Sequence, residues 1–288
     1  MSDIQTRFPR VLPRLTTTAA LARGYKPCMG AASPTILVLN AGSSSVKYEL
    51  FSMDPERSLV AGEVETRSTT PREAAERAFA ALRAEGHLDG RESLVAIGHR
   101  VVHGGDLFDG PALVDEAVLE GIRSLMPLAP LHLDAALAGV AVARDACPGV
   151  PNVAVFDTSF HRTMPAHARE YALPRALARE HAIRRYGFHG TSYAYVASRA
   201  AAMLDRPLEE VDLIALHLGN GASAAAIRGG KSVDTSMGMT PLEGLVMGTR
   251  CGDVDPAVPL LIGERAGMDA SEVHRALTRE SGLVGMCG

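Results

Sequence analysis

The chain has 288 residues, 47% hydrophobic and 22% charged, with a formal net charge of −4 and a pI near 6.2. That balance fits a globular protein of one or two domains. It gives no basic footprint for nucleic acid, and no window reaches the ~18 apolar residues of a membrane-spanning helix. Cys28, Cys147, Cys251 and Cys287 form no CxxC pair and read as thiols in a reducing cytoplasm.

Residues 1–34 carry Arg7, Arg10, Arg14, Arg23 and Lys26 against the single acid Asp3, without periodicity. They read as a disordered tail or a non-native leader rather than part of the fold. From 35 the pattern changes. ILVLNAGSSSVKYELF, at 36–51, is a β-rich run, a turn of small residues and a second β-rich run. The device recurs as LIALHLGNGASAAAI at 213–227. Turns of small residues let backbone N–H groups converge on an anion, so the doubled hairpin predicts a phosphate chain gripped from two sides.

Between the hairpins, 71–85 is predicted helical, with Ala74, Ala75, Ala78, Phe79 and Leu82 on one stripe. LVAIGHRVV at 94–102 is a buried strand running into His103, Gly104 and Gly105. A helix over 115–126 takes Asp115 as its cap, and an alanine-rich helix covers 134–145. NVAVF at 152–156 is a short strand ending at Asp157. The loop YGFHGTS feeds a helix over 193–204, capped by Thr191 or Ser192. After the second hairpin come a long loop over 231–255, a helix opened by Asp255 and Pro256, and a last helix over 271–279. Alternating strands and helices make this an α/β protein, with one lobe at 35–158 and another at 159–288.

Several residues can carry chemistry. In NAGSSSVK the hydroxyls and backbone donors can line phosphate oxygens, Lys47 adds a charge, and Asn40 can hold a metal-bound water. The same string is also an ordinary polar hairpin turn, and it is not a Walker loop. On the strand GHRVVHGG, Arg100 and Val102 share a face, fit to hold a small carboxylic acid by its carboxylate and its alkyl end. His99 and His103 point the other way and read as structural rather than metal ligands. Asp157 ends an apolar strand, where it organises magnesium, acts as a base, or caps a turn. His189 precedes a helix N-terminus, an anion-attracting place. Arg250, in MGTRCGDVDP, is either a surface partner of nearby acids or a charge stabiliser for phosphoryl transfer.

VLNAGSSSVKYELF, GHRVVHGG, APLH, FDTSFHRTMP, RRYGFHGTS, HLGNGAS, DTSMGMTPLEGLVMGTRCGDVDP and SGLVG together resemble the acetate kinase family, of the actin-like superfamily of acetate and sugar kinases. The resemblance implies a two-lobed actin-like ATPase fold, with a ribonuclease H-like first lobe at 35–158 and a nucleotide-binding lobe at 159–288. It implies reversible transfer of the ATP γ-phosphate to acetate, giving acetyl phosphate and ADP, with Mg²⁺ and typically in a homodimer. A propionate or other short-chain acyl kinase is the alternative. By the resemblance, Asn40 belongs to the magnesium site, Ser43, Ser45 and Lys47 meet phosphate, and Arg100 binds the substrate carboxylate. Val102, Leu131, Phe188 and Pro241 wall the methyl pocket, with His132 in the PLH loop beside it. Asp157, His189 and Arg250 are catalytic, and His217, Leu218, Gly219, Asn220 and Gly221 bind nucleotide phosphates. The sequence departs from the family at Leu133 and Asp134, where Asn-Pro is usual, and at Tyr193, where His is usual. It also ends before the family's GGIGEN-like adenosine loop and a further acidic magnesium ligand. That end implies a truncated second lobe, exposed apolar surface, weak ATP binding, and a chain that is catalytically impaired or a remnant.

Overall fold

Strict alternation at 36–51 builds a hairpin with one apolar face. The computed structural model describes residues 33–42, 44–66, 68–88 and 93–288, with the backbone only at 131. The leader, up to 32, lies outside the described residues. The hairpin is β1 (Thr35–Ala41) with β2 (Ser45–Met53), and β3 (Glu56–Glu65) pairs antiparallel with β2. The helix α1 (Pro71–Ala84) follows, opened by a capping box between Thr70 and Glu73 with Pro71 in the first turn. Then come β4 (Leu94–Val101), β5 (Ala112–Leu113), α2 (Glu116–Ser124), α3 (Pro130–Ala146) and β6 (Asn152–Phe156). Asp115 caps α2 by accepting from Val118 N–H at 2.8 Å.

These strands form one six-stranded sheet in the order β3-β2-β1-β4-β6-β5. The pairs β1–β4 and β4–β6 are parallel and the rest antiparallel. Side chains from one face, Leu37, Leu39, Val46 and Leu50, meet Ala74, Ala78, Phe79 and Leu82 of α1 and Ala135, Val142 and Ala143 of α3. Burying each large apolar side chain contributes about 1.5–3 kcal/mol. A neighbouring core joins Val101 and Phe156 to Ile122 and Leu133, with Phe108 stacked on Phe156 at 4.2 Å.

Two short helices, α4 (Ala166–Arg169) and α5 (Arg175–Glu180), lead to α6 (Gly190–Met203). A second sheet is the antiparallel meander β7 (Asp212–Leu218), β8 (Ala222–Arg228) and β9 (Lys231–Thr235). Tyr193 and Ala197 of α6 pack on Ala215, Ala225 and Ile227. Helices α7 (Ala257–Ala266), α8 (Ala270–Arg279) and α9 (Gly282–Cys287) close the described chain. On edge strand β7, Ile214, Leu216 and Leu218 face solvent.

Four expectations are corrected. The helix expected from 134 begins at Pro130, because proline suits a first helical turn, so PLH is helix rather than loop. The helix expected from 193 begins at Gly190 and His189 takes the cap position, because Gly190 N–H is bound to the Asp157 carbonyl at 2.9 Å. Neither Thr191 nor Ser192 is the cap. The first five residues of the supposed loop over 231–255 are strand β9, added to β8 through the Gly229–Gly230 turn, where both φ are positive. Strands β3 and β5 and the helices α4 and α5 carried no periodic signal strong enough to be expected.

Candidate active site

Parallel pairing of β4 with β6 brings Arg100 and Asp157 together. Arg100 lies opposite Val155, and the Asp157 N–H is tied to the Val101 carbonyl at 3.0 Å, just past the strand end. The guanidinium then grips the carboxylate side-on. Nε donates to Oδ1 at 3.0 Å and to Oδ2 at 3.1 Å, and Nη2 donates to Oδ2 at 2.6 Å. Asp157 is fully buried, and Thr191 Oγ1 also donates to Oδ1 at 3.3 Å. Nη1 of Arg100 donates to Asn40 Oδ1 at 3.2 Å. Burial acts to lower the Arg100 pKa, but the hydrogen bonds and charge of Asp157 outweigh it and raise it. Arginine has five N–H donors, so this pattern leaves one on each Nη for another acceptor. His99 and Val101 are buried, and so is His103, which lies past the strand end and packs edge-on to Tyr186 and Phe188.

His189 sits in a left-handed conformation, φ 59°, at the N-terminus of α6. Its Nδ1 lies 2.8 Å from Ser223 Oγ, which also bonds closely to the Tyr193 hydroxyl. Burial raises the Tyr193 pKa, so the phenol keeps its proton. When Tyr193 donates to Ser223, the serine O–H is directed to Nδ1, and the proton of neutral His189 stands on Nε2. The His189 ring stacks on His217 at 4.0 Å, and His217 Nδ1 lies 3.0 Å from Ser192 Oγ. Burial, then the neighbouring His217, lowers the His189 pKa to about 4. Burial also lowers His217 and His132, with Arg100 adding to both and Arg250 to His132.

The second hairpin turn closes the other side. A Cβ on Gly221 would stand 3.3 Å from Arg250 Nη1 and 3.6 Å from His189 Nε2, so both side chains lie against this turn. A Cβ on Gly248 would strike Asn220 Oδ1 at 2.2 Å, and Gly248 N–H binds the Asn220 carbonyl at 3.1 Å. Arg250 is held through Nη1 by the Pro241 carbonyl at 2.9 Å. Of the two readings of Arg250, the surface pair is not seen: Arg250 has no ion pair among the described residues. Asp253 and Asp255 instead accept backbone N–H groups of Gly244 and Ala257.

Val102 and Phe188 share an apolar cluster with Ala222, Met237, Met247 and Leu245. Met237 and Met247 were not anticipated, since methionine in a loop carries no pattern. His161, in FDTSFH, was also passed over. Its Nε2 is 2.9 Å from the Phe188 carbonyl and its Nδ1 2.8 Å from Ser232 Oγ, so it fixes the segment that presents Phe188 and His189.

Other expected residues stand apart. Lys47 lies opposite Asn40, but its Nζ pairs with Glu63 at 3.6 Å. The Ser45 hydrogen bond, then Lys47, holds the Glu63 carboxyl below its usual pKa. The Leu218 side chain is 71% exposed, on the face of β7 opposite His217, so only its backbone faces the turn. Ser43 lies outside the described residues, as does the side chain of Leu131. His99 binds Asn152 Oδ1 at 2.7 Å, and His103 Nδ1 accepts from Gly105 N–H at 3.0 Å. No group of three His, Cys, Asp or Glu side chains could hold a metal among the described residues. Asp157 is buried with its acceptor sites taken by Arg100 and Thr191, so Asn40 Oδ1 is the hard oxygen that could face an ion here. That suits an ion such as Mg²⁺, which takes one or two protein oxygens and completes its shell with phosphate and water.

The Acetokinase family profile matches residues 60–288. The chain belongs to the acetokinase family. Acetate kinase of Deinococcus deserti is 49% identical over 270 residues, covering 88% of this chain and 68% of the relative. The structure of Porphyromonas gingivalis acetate kinase superposes with a TM-score of 0.81 at 39% identity, over 88% of this chain and 69% of that one. A propionate kinase from Francisella tularensis gives 0.83 at 42% identity, over 89% and 71%. The fold is therefore that of the acetate kinases, the actin-like ATPase fold expected from the motifs. No described helix is long and apolar enough to cross a membrane.

Proposed function

We propose that this chain is a phosphotransferase that moves the γ-phosphate of ATP to acetate, reversibly, giving acetyl phosphate and ADP. One observation carries the reading. An arginine fork anchored on a buried carboxylate, with one N–H free on each Nη, stands in the same cleft as His189, Arg250 and a glycine turn. We further assign 35–158 and 159–288 as the two lobes of that cleft.

Acetate is already a carboxylate at neutral pH, so its oxygen needs no base to attack phosphorus. A carboxylate oxygen forms the new bond to the γ-phosphorus. The bond to the β–γ bridging oxygen breaks, and ADP leaves with the electron pair. The difficulty is to bring one anion against another. Arg100 orients the acetate, and Val102 and Phe188 pack its methyl group. Arg250 and the Nε2–H of His189 meet charge on the transferring phosphoryl, in a site partly shielded from water. Backbone N–H groups at His217 to Gly221 and the Ser45 turn hold the phosphates. Lys47 reaches them on releasing Glu63, a half-exposed pair of small energetic value. Asp157 is a positioning residue: it fixes Arg100, and no proton needs to move to it. Asn40 would help hold Mg²⁺, which supplies charge neutralisation on the phosphate oxygens when bound.

The likeness to a propionate kinase gives the alternative substrate a specific footing. Flexible Met237 and Met247 behind Phe188 can yield to one more methylene, a difference of about 1–3 kcal/mol. The purified 288-residue chain should be given ATP, Mg²⁺ and acetate, propionate or butyrate, and the acyl phosphate trapped with hydroxylamine. Acetyl hydroxamate, with kcat/KM highest for acetate, is the expected product. The KM for ATP in the same assay checks the weak nucleotide binding expected from the sequence. No acyl hydroxamate from any of the three acids would remove the proposal.

A further inference from the structure

Away from the catalytic cleft, a second cleft of about 450 Å³ opens beside α4 and α5, within the size range of small-ligand sites. Its charged lining is four arginines, Arg169, Arg175, Arg179 and Arg184, against Asp106 and Glu170. The balance is more lopsided than that. Asp106 Oδ1 is already shared by two guanidiniums, Arg162 and Arg184, each at 2.7 Å. Neither pair is bidentate, and Arg184 Nε is a buried donor with no acceptor among the described residues. Arg169, Arg175 and Arg179 have no side-chain hydrogen bond or ion pair among the described residues. Guanidiniums clustered round one cleft repel one another, and an oxyanion with several charged groups is the partner their forked geometry fits.

We propose that this cleft is a binding site for a small multivalent oxyanion, carrying two or more carboxylate or phosphate groups. Arg175 and Arg179, a turn apart on α5, bind from one side. Arg169 and Arg184 bind from the other, Arg184 through its terminal nitrogens. Arg184 is held in place by stacking over the Tyr186 ring, at 4.4 Å. The two elements meeting here lead into the catalytic cleft. Asp106 follows the strand that carries Arg100, and Arg184 precedes the segment that carries His189. Occupancy therefore ties these two elements together more firmly than Asp106 does alone. The site is separate from the phosphotransfer residues, so the inference does not rest on the proposed reaction.

The test is calorimetric titration of the whole chain with tricarballylate and, separately, with pyrophosphate, repeated on the R175Q/R179Q variant. Both residues are exposed, so the variant should keep its fold, checked by circular dichroism. Saturable binding with Kd below about 1 mM is expected for at least one anion, and the tighter of the two names the carboxylate or phosphate source. That binding should weaken roughly tenfold in the variant and fall as salt is raised. Pyrophosphate that instead occupies the glycine turns is recognised because its binding persists in the variant. Absence of saturable binding of either anion to the wild-type chain, or equal affinity of the variant for both, overturns the proposal.

Discussion

Tyr193→Phe removes one oxygen and leaves the ring that packs on Ala197 and Ala225. The phenol is the far end of a chain from Tyr193 to Ser223 to His189 Nδ1. Without it Ser223 is free to accept from Nδ1–H, and the imidazole populates the tautomer with a bare Nε2 toward the phosphoryl site. Losing a buried hydrogen bond whose partner can re-pair costs about 1–2 kcal/mol. At roughly 2–4 °C per kcal/mol, Tm should fall by about 2–8 °C. A transition-state hydrogen bond of about 1.4 kcal/mol is worth tenfold, so kcat should fall roughly tenfold with both KM values within about twofold. Ser223→Ala should give a similar kcat loss, and the double variant should cost less than the sum because the residues act as one relay. Full kcat in Tyr193→Phe despite a lowered Tm would show that Tyr193 only packs.

Three further outcomes are expected. His99, His103, His161 and His189 each have a folded pKa of about 4, lowered chiefly by burial from an unfolded value of 6.5. The unfolded chain therefore takes up these protons first, and the stability they contribute is full above about pH 6.5 and lost as pH falls toward 4. Urea unfolding should show that decline, and a flat profile over that window would contradict it. Gly190→Ala places a Cβ 2.1 Å from the Asp157 carbonyl, so it should destabilise by about 1–3 kcal/mol and lower kcat; thermal melts and turnover check both. Lys47→Ala should leave Tm nearly unchanged, since its pair with Glu63 is exposed, while raising the KM for ATP. An unchanged KM would remove Lys47 from the phosphate site.

Much of this was legible in the sequence because periodicity and punctuation are local. The hairpins, the stripe of α1 and the Asp115 cap followed from residue spacing alone. The strand carrying Arg100 was legible too, although it ends at Val101, one residue before Val102. What was not legible depended on partners distant in the chain. His189 caps α6 because Asp157 holds Gly190, 33 residues away, and Lys47 turns to Glu63 because β3 adds to the sheet. His161, Met237 and Ser223 act through neighbours that only the folded chain supplies. Asp157 could be marked as important from its strand end. Its side-on contact with Arg100 shows only in the folded chain.

The measurement closest to the central claim is kcat/KM for acetate in the wild-type chain and in Arg100→Gln, at saturating ATP. Arg100 anchored on Asp157 is held to orient the attacking carboxylate, so the variant should lose about 10²–10³-fold in kcat/KM with the KM for ATP nearly unchanged. Retention of wild-type kcat/KM for acetate in Arg100→Gln would contradict the account.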